Sequence, residues 1–404
     1  MPTGFFQAGT LIIKAPEPTI PRCGQCGLWN AFGCLSPKME PTGQGQKGIL
    51  VVGESPGKNE NAQGSQFVGS AGQRLQQELA TLGVDLNRDC WLTNALICFP
   101  GEKLSPTSEQ VAHCRPNLTK TIDQLKPTLI ILLGEAPTQS LIGRVWKENV
   151  GSINRWAGWR IPDQTVNAWL CPTWDTGEIM REEERAPVKL LWWRKHLAAA
   201  VALAGAAPWP EGPPDWLAGV KCLYDVDAAR GCLDAFVRDG KPVAFDFETT
   251  TIKPDGPLAQ IVSCAVSDGE TTVAYPWHGA AISATQNLLR SPQPKYGQNC
   301  KFEERWCRKE FGHGVRGWAW DGMLAAHILD NRQSVSGLKF QSYVRLGQTQ
   351  YDAAVKPFLS SEGTNTANRI KQVDLRTLLR YNACDALLEF KVTEIQMQEM
   401  GVSL

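Results

Sequence analysis

Three groups of residues have types and spacings that could do chemistry. In residues 21–34, "PRCGQCGLWNAFGC", Cys23 and Cys26 stand three positions apart among glycines and a proline. Zinc sites, dithiol redox motifs and iron–sulfur clusters share that spacing, so partner cysteines downstream must decide between them. Cys98, at the end of the predicted strand in "NALICFP", and Cys114, on the predicted helix in "QVAHC", could complete a four-cysteine site. Free cysteines also serve as small buried hydrophobes, and spacing alone gives that reading equal weight. A redox dithiol fits less well, because this pair precedes the first strand instead of joining a strand to a helix. The second group is Asp246 and Glu248 in "VAFDFETTT", two apart on a predicted strand and so on one face. Paired acids on a buried strand repel unless a cation lies between them. The third is Tyr381 and Asp385 in "LLRYNACDALLEF", four apart and so on one face of a helix.

These residues need elements to hold them. At 404 residues the chain is long for a single core. The Pro/Gly-rich stretch "AGAAPWPEGPPDW" (204–216) marks the junction. The expected division is a first domain over 1–205, a linker over 206–218 and a second domain over 219–404. Upstream, strands are predicted in "GILVVG", "DCWLTNALI", "TLIILLG" and "VNAWLCP". They alternate with helices over 70–83 (opening on a serine cap), 107–125 and 186–203, the pattern of a parallel α/β sandwich. Downstream, "KPVAFDFETT", "AQIVSCAVSD" and "TTVAYPW" read as three successive strands, followed by helices at 300–311, 319–330 and 374–398. Residues 358–369 read as a flexible loop.

Charge is balanced, with 41 basic and 41 acidic residues, so any nucleic-acid binding must use local patches or metals. No apolar run is long enough to cross a bilayer, and "MPTGFFQAGT" lacks the pattern of a signal peptide. Thirteen cysteines without an export signal point to a reducing, intracellular compartment.

The run "VVGESPGKNENAQGSQFVGSAGQRL" resembles the first motif of the family 4 uracil-DNA glycosylases, G-E-x-P-G, an acidic residue, then F-V-G-x-A-G. The resemblance covers residues 20–203 and implies a [4Fe–4S] cluster on Cys23, Cys26, Cys98 and Cys114. It leaves Cys34, Cys90 and Cys171 as structural residues. It implies that Gly53, Glu54, Ser55, Pro56 and Gly57 form a binding loop at the end of a strand. Phe67 would stack on a flipped base and Asn94 would bond the uracil edge. Three departures stand out. Asp175, in "CPTWDTGEI", takes the place of a histidine that would stabilise charge on the uracil oxygen. "SQFVG" lacks the usual proline before Phe67, and Ser55 stands where alanine is common. Weak or absent base excision is therefore expected, with uracil sensed without being excised, or excised by altered chemistry, as the alternatives.

The order of D-x-E on a strand, "YGQNCKFEERW" on a helix and then Y-x-x-x-D resembles the proofreading 3′–5′ exonuclease domain of family-A DNA polymerases. That resemblance covers 220–400 and implies a ribonuclease H-like mixed sheet. It implies two Mg²⁺ or Mn²⁺ ions held by Asp246, Glu248, Glu303 and Asp385, with Tyr381 orienting water and Asn299 holding the DNA end or supporting the site. Glu303 replaces the family's aspartate, which implies a shifted or weaker second metal position; Asp321 is a substitute candidate, though capping or supporting the next helix is the favoured reading of it. Arg332, Lys339 and Lys356 are candidate phosphate contacts. The implied partners are single-stranded DNA, DNA 3′ ends, uracil-containing DNA and a polymerase domain or subunit, with no membrane. The chain ends at "QMQEMGVSL" without a polymerase region. It is expected to be either part of a longer bacterial or phage polymerase or a separate subunit, in the cytoplasm of a bacterial cell or phage-infected host.

Overall fold

The structure, a computed structural model, describes residues 18–101, 105–146, 148–349, 351–361, 363 and 366–403. The segment "MPTGFFQAGT" and parts of the predicted loop at 358–369 lie outside the described residues. Among the described residues, twelve strands form two sheets. The first contains β1 (Thr42–Gly43), β2 (Ile49–Gly53), β3 (Cys90–Asn94), β4 (Leu129–Leu133), β5 (Ile161–Asp163) and β6 (Ala168–Thr173), in the order β1-β3-β2-β4-β6-β5. Its four central strands are parallel, as expected, and short antiparallel strands close both edges. All residues of β2 and β4 are buried, which a parallel strand covered on both faces requires. Leu75 and Leu79 of the helix Ser70–Thr81, with Trp193 and Leu197 of Pro187–Val201, cover one face. Leu118 and Ile122 of Ser108–Leu125, with Leu141 of Glu135–Val145, cover the other. Gly53, Asn94 and Thr173 thereby reach the same sheet edge, at the carboxyl ends of their strands.

The second sheet contains β7 (Val220–Cys222), β8 (Val243–Thr249), β9 (Ile261–Ser267), β10 (Thr272–Pro276), β11 (Lys295–Gly297) and β12 (Trp318–Asp321). Its order, β12-β11-β8-β9-β10-β7, mixes parallel and antiparallel neighbours, as expected for the second domain. The helix Leu375–Met400 lies across it, with Leu379, Ala383 and Ala386 against Ala265 and Ala274. Small side chains on both surfaces let the helix come close to the central strands.

Several elements differ from the sequence reading. The residue capping the Ser70–Thr81 helix is Gly69, and Ser70 is the first helical residue. Strand β3 stops at Asn94, so Cys98 follows the strand in irregular backbone. The segment predicted as helix from 319 begins as β12, and the helix Gly322–Leu329 starts only after Asp321.

The two halves share a core. Phe340, Tyr343 and Val344, on the helix Leu338–Leu346 of the second half, pack with Trp146, Trp156 and Leu170 of the first. The Trp156 and Phe340 ring centroids are 5.1 Å apart, and Arg155 lies 4.7 Å over Phe340. Arg332 donates to the carbonyls of Asn154 and Ala157, and Lys356 pairs with Glu148. The connecting stretch is held at both ends: Asn167 donates to the Trp209 carbonyl, and the Trp216 indole donates to the Leu346 carbonyl. Truncating Phe340 to alanine empties the centre of this junction and should cost about 3–5 kcal/mol. Denaturant melts followed by circular dichroism should show that loss in the folding of both halves together.

Candidate functional sites

In the second half, the central position of β8 and the close approach of the C-terminal helix bring three carboxylates together. Oxygens of Asp246, Glu248 and Asp385 lie within 4.8 Å of one another. Asn382, one turn before, donates to Asp246 Oδ2 at 2.6 Å and accepts from Ser263. The Tyr351 hydroxyl donates to Asp385. Lys339 Nζ is 3.1 Å from the Tyr381 hydroxyl and 3.7 Å from Asp352. Burial, reinforced by the charge of Asp385, pushes the Asp246 carboxyl up to about 8. Burial and the charges of Asp246 and Asp385 raise Glu248 as well. Lys339 is held above its usual range: burial opposes its charge, but the surrounding carboxylates, Asp385 first, outweigh that. The arrangement has an excess of hard oxygen donors for one ammonium group, which is the donor set that divalent Mg²⁺ or Mn²⁺ takes.

The remaining predicted residues are placed differently. Glu303 is buried beside Asp246 but outside the trio, and its Oε2 has no partner. Asn299 sits in a left-handed turn at φ 69°, its N–H held by Asp321. Asp321 also accepts from Cys300, Met323 and Leu324, so this substitute candidate is committed to holding backbone. Of the candidate phosphate contacts only Lys339 faces the trio, since Arg332 and Lys356 join the two halves. Sequence reasoning missed Tyr351 and Glu389. Glu389 is buried with an unpartnered Oε1, and burial together with the charges of Glu303 and Asp246 raises its carboxyl. Its position four after Asp385, on the same helix face, was the available signal.

In the first half, Gly53, Asn94 and Phe67 converge. A Cβ on Gly53 would sit 2.3 Å from Asn94 Oδ1 and 3.0 Å from the Phe67 ring, so only glycine permits the approach. Asn94 Nδ2 donates to Gln66 Oε1 at 2.5 Å, and both amides are buried. Gln66 is the residue standing where the proline was expected. Glu54 accepts from the N–H groups of Glu135 and Ala136, and Asp175 accepts from those of Gly177 and Glu178. Both acids therefore cap helices, and Asp175 stands where it does because the helix Thr176–Glu182 needs an acceptor. Burial raises both carboxyls, and the Asp175 charge adds to the rise at Glu54. Ser55 and Pro56 continue the turn from β2 toward Gly57.

Cys23 and Cys26 form one helical turn and face a small cavity that Cys98 and Cys114 also line. Burial pushes Cys98 up to about 12 and raises Cys26 and Cys114. Among the described residues, no three of these sulfurs lie within 4.8 Å of one another. A single zinc ion would hold four thiolates about 3.8 Å apart, from Zn–S bonds of about 2.3 Å in a tetrahedron.

Residues 40–197 match the uracil DNA glycosylase superfamily, and residues 233–400 match the 3′–5′ exonuclease family. A type-4 uracil-DNA glycosylase of Pyrobaculum aerophilum is 34% identical over 148 residues, covering 35% of this chain and 71% of the relative. A DNA polymerase I of Chloroflexus aurantiacus is 26% identical over 200 residues, covering 47% of this chain and 20% of that relative. Among solved structures, Escherichia coli RNase D aligns over 45% of each chain at 18% identity, with a TM-score of 0.35.

The raised Asp246 carboxyl has a stability consequence. Its folded value near 8 exceeds the ordinary value of 3.8, so its contribution is present below about pH 4 and lost as pH rises through about 8. Without divalent metal, the wild-type melting temperature should fall between those limits more than that of Asp246→Asn, and added Mn²⁺ should restore it in the wild type alone.

Proposed function

The chain belongs, through its first half, to the uracil DNA glycosylase superfamily, and from that premise we propose a two-site DNA-processing protein. Its second half is a 3′–5′ exonuclease domain, which we read as a metal-dependent DNA nuclease that trims 3′ ends beside a polymerase. The observation that carries this reading is the convergence of Asp246, Glu248 and Asp385. Asp246, Glu248 and Asp385 would hold the divalent ions, with Glu303 behind Asp246 in support of the second position. Bound there, such ions supply an activated water and neutralise the leaving 3′ oxygen. Asn382 fixes the orientation of Asp246, and Tyr351 fixes that of Asp385. Lys339 donates to the Tyr381 oxygen and the Tyr381 hydroxyl bonds Asp385, which places the phenol where it can help orient water, while the Lys339 charge faces an incoming phosphate. Asn299 supports the turn that leads into the helix carrying Glu303.

For the first half we propose that Cys23, Cys26, Cys98 and Cys114 hold a [4Fe–4S] cluster. The four cysteines lining one cavity support this reading, and the cluster's contribution would be to fasten the N-terminal segment to the sheet. Gly53, Phe67 and Asn94 form a base pocket that takes uracil without excising it. Asp175 puts a carboxylate where developing negative charge would need a donor, and Gln66 already engages the Asn94 amide.

Asp246→Ala should abolish release of mononucleotides from a 3′-labelled single strand in Mg²⁺ or Mn²⁺. Asn382→Ala, which removes only an orienting partner, should slow it roughly 10–100-fold. Trimming by Asp246→Ala at the wild-type rate would refute the assignment. Protein purified without oxygen should be brown, and Cys98→Ala should lose the visible absorbance. A uracil-containing oligonucleotide should bind more tightly than its thymine counterpart and yield no abasic sites.

A further inference from the structure

A cleft of about 700 Å³ opens between the two halves, away from both sites already described. Its walls come from both halves. The first half contributes Arg160 and, from the helix Pro187–Val201, Trp192 and Lys195; the second contributes residues of the helices Leu338–Leu346 and Leu375–Met400. Its charges do not cancel. The two acids of the cleft are already paired, Asp330 with Arg332 and Glu399 with Arg345. Arg160 and Lys195 remain as exposed cations in a chain whose net charge is zero. Beside them Trp192 is 49% exposed, unusual for so large an apolar ring, and Lys195 Nζ lies 4.5 Å from its centroid. An exposed aromatic ring with one cation over it and another lining the same cleft is a combination that can hold single-stranded nucleic acid, with bases stacked on the ring and phosphates on the cations.

The position of the cleft adds to this chemistry. His196 lines it and meets Thr173 at 3.1 Å through Nδ1, two residues before Asp175 at the edge of the base pocket. On the opposite wall, Arg345 belongs to the helix that carries Lys339 to the carboxylate trio. Ile395 follows Asp385 by ten residues on one helix, about 15 Å along its axis. We infer that this cleft is a track for single-stranded DNA between the base pocket and the carboxylate trio. It rests on the nuclease reading above for the direction of travel, but its binding is measurable without catalysis.

The test compares wild type with an Arg160→Ala/Lys195→Ala double variant, Trp192→Ala and Trp192→Phe. Fluorescence anisotropy with a labelled strand of about 20 nucleotides, longer than the roughly 4–16 covered by one single-strand site, is read without added divalent metal. The double variant should lower the slope of log affinity against log salt by about 1.4, the loss of two phosphate contacts on a single strand. Trp192→Ala should weaken binding about tenfold, from one lost stack, and Trp192→Phe should restore most of it. Trimming of a strand of about three nucleotides, too short to reach the cleft, should be unchanged in all variants. Unchanged affinity and salt slope for the long strand would overturn the inference, as would loss of short-strand trimming in the same proportion. Failure of the wild type to trim either strand would instead strike the nuclease reading and leave the binding result to stand by itself.

Discussion

The second half is organised around three carboxylates that ordinary packing would keep apart. Asp246, Glu248 and Asp385 are drawn within 4.8 Å, out of bulk water, with Lys339 as the nearest cation. Like charges at that distance in a protein interior are costly in the ionised state. The surrounding structure is built to hold them there. β8 supplies two of the acids from the middle of the sheet, and small residues let the C-terminal helix bring the third. Asn382 and Tyr351 then fix carboxylate orientation from the same helix and from a neighbouring loop. A cation between the acids removes the repulsion, so binding and folding favour the same geometry.

The first half shows the opposite use of its acids. Glu54 and Asp175 stand at the carboxyl ends of parallel strands, where ligands bind in such folds, yet each is committed to the start of a helix. A capping carboxylate near a base pocket braces the pocket and offers nothing to a developing anion. Gln66 acts in the same direction by occupying the Asn94 amide. On the proposed reading, a scaffold for recognising a base surrounds groups unsuited to cutting it out. The shared aromatic core of Trp146, Trp156, Phe340 and Tyr343 joins this scaffold to the nuclease half as one packed body.

Much of this was legible in the sequence where the signal is local. Asp246 and Glu248 share a face because strands alternate, and Tyr381 and Asp385 because helices repeat near four. The apolar runs of β2 and β4 announced buried parallel strands. What was hidden depends on partners far along the chain. Tyr351 belongs to the trio's surroundings only because its loop folds back on Asp385, 34 residues away. The helix Leu338–Leu346 buries its apolar side against residues nearly 200 positions upstream, so no window on either segment reveals it. Asp321 read as a spare ligand or, in preference, as the cap of the next helix, and its four bonds to backbone N–H groups bear out the cap. Cys98 looked like a strand residue because its apolar neighbours continue past the point where pairing stops.

The central claim is that the Asp246, Glu248 and Asp385 carboxylates are a divalent-metal centre. Anomalous diffraction from crystals of the full chain grown with Mn²⁺ tests it most directly. The account predicts a strong manganese peak among those three side chains, absent in Asp246→Asn. A map with no peak there, at a manganese concentration that supports trimming, would contradict it.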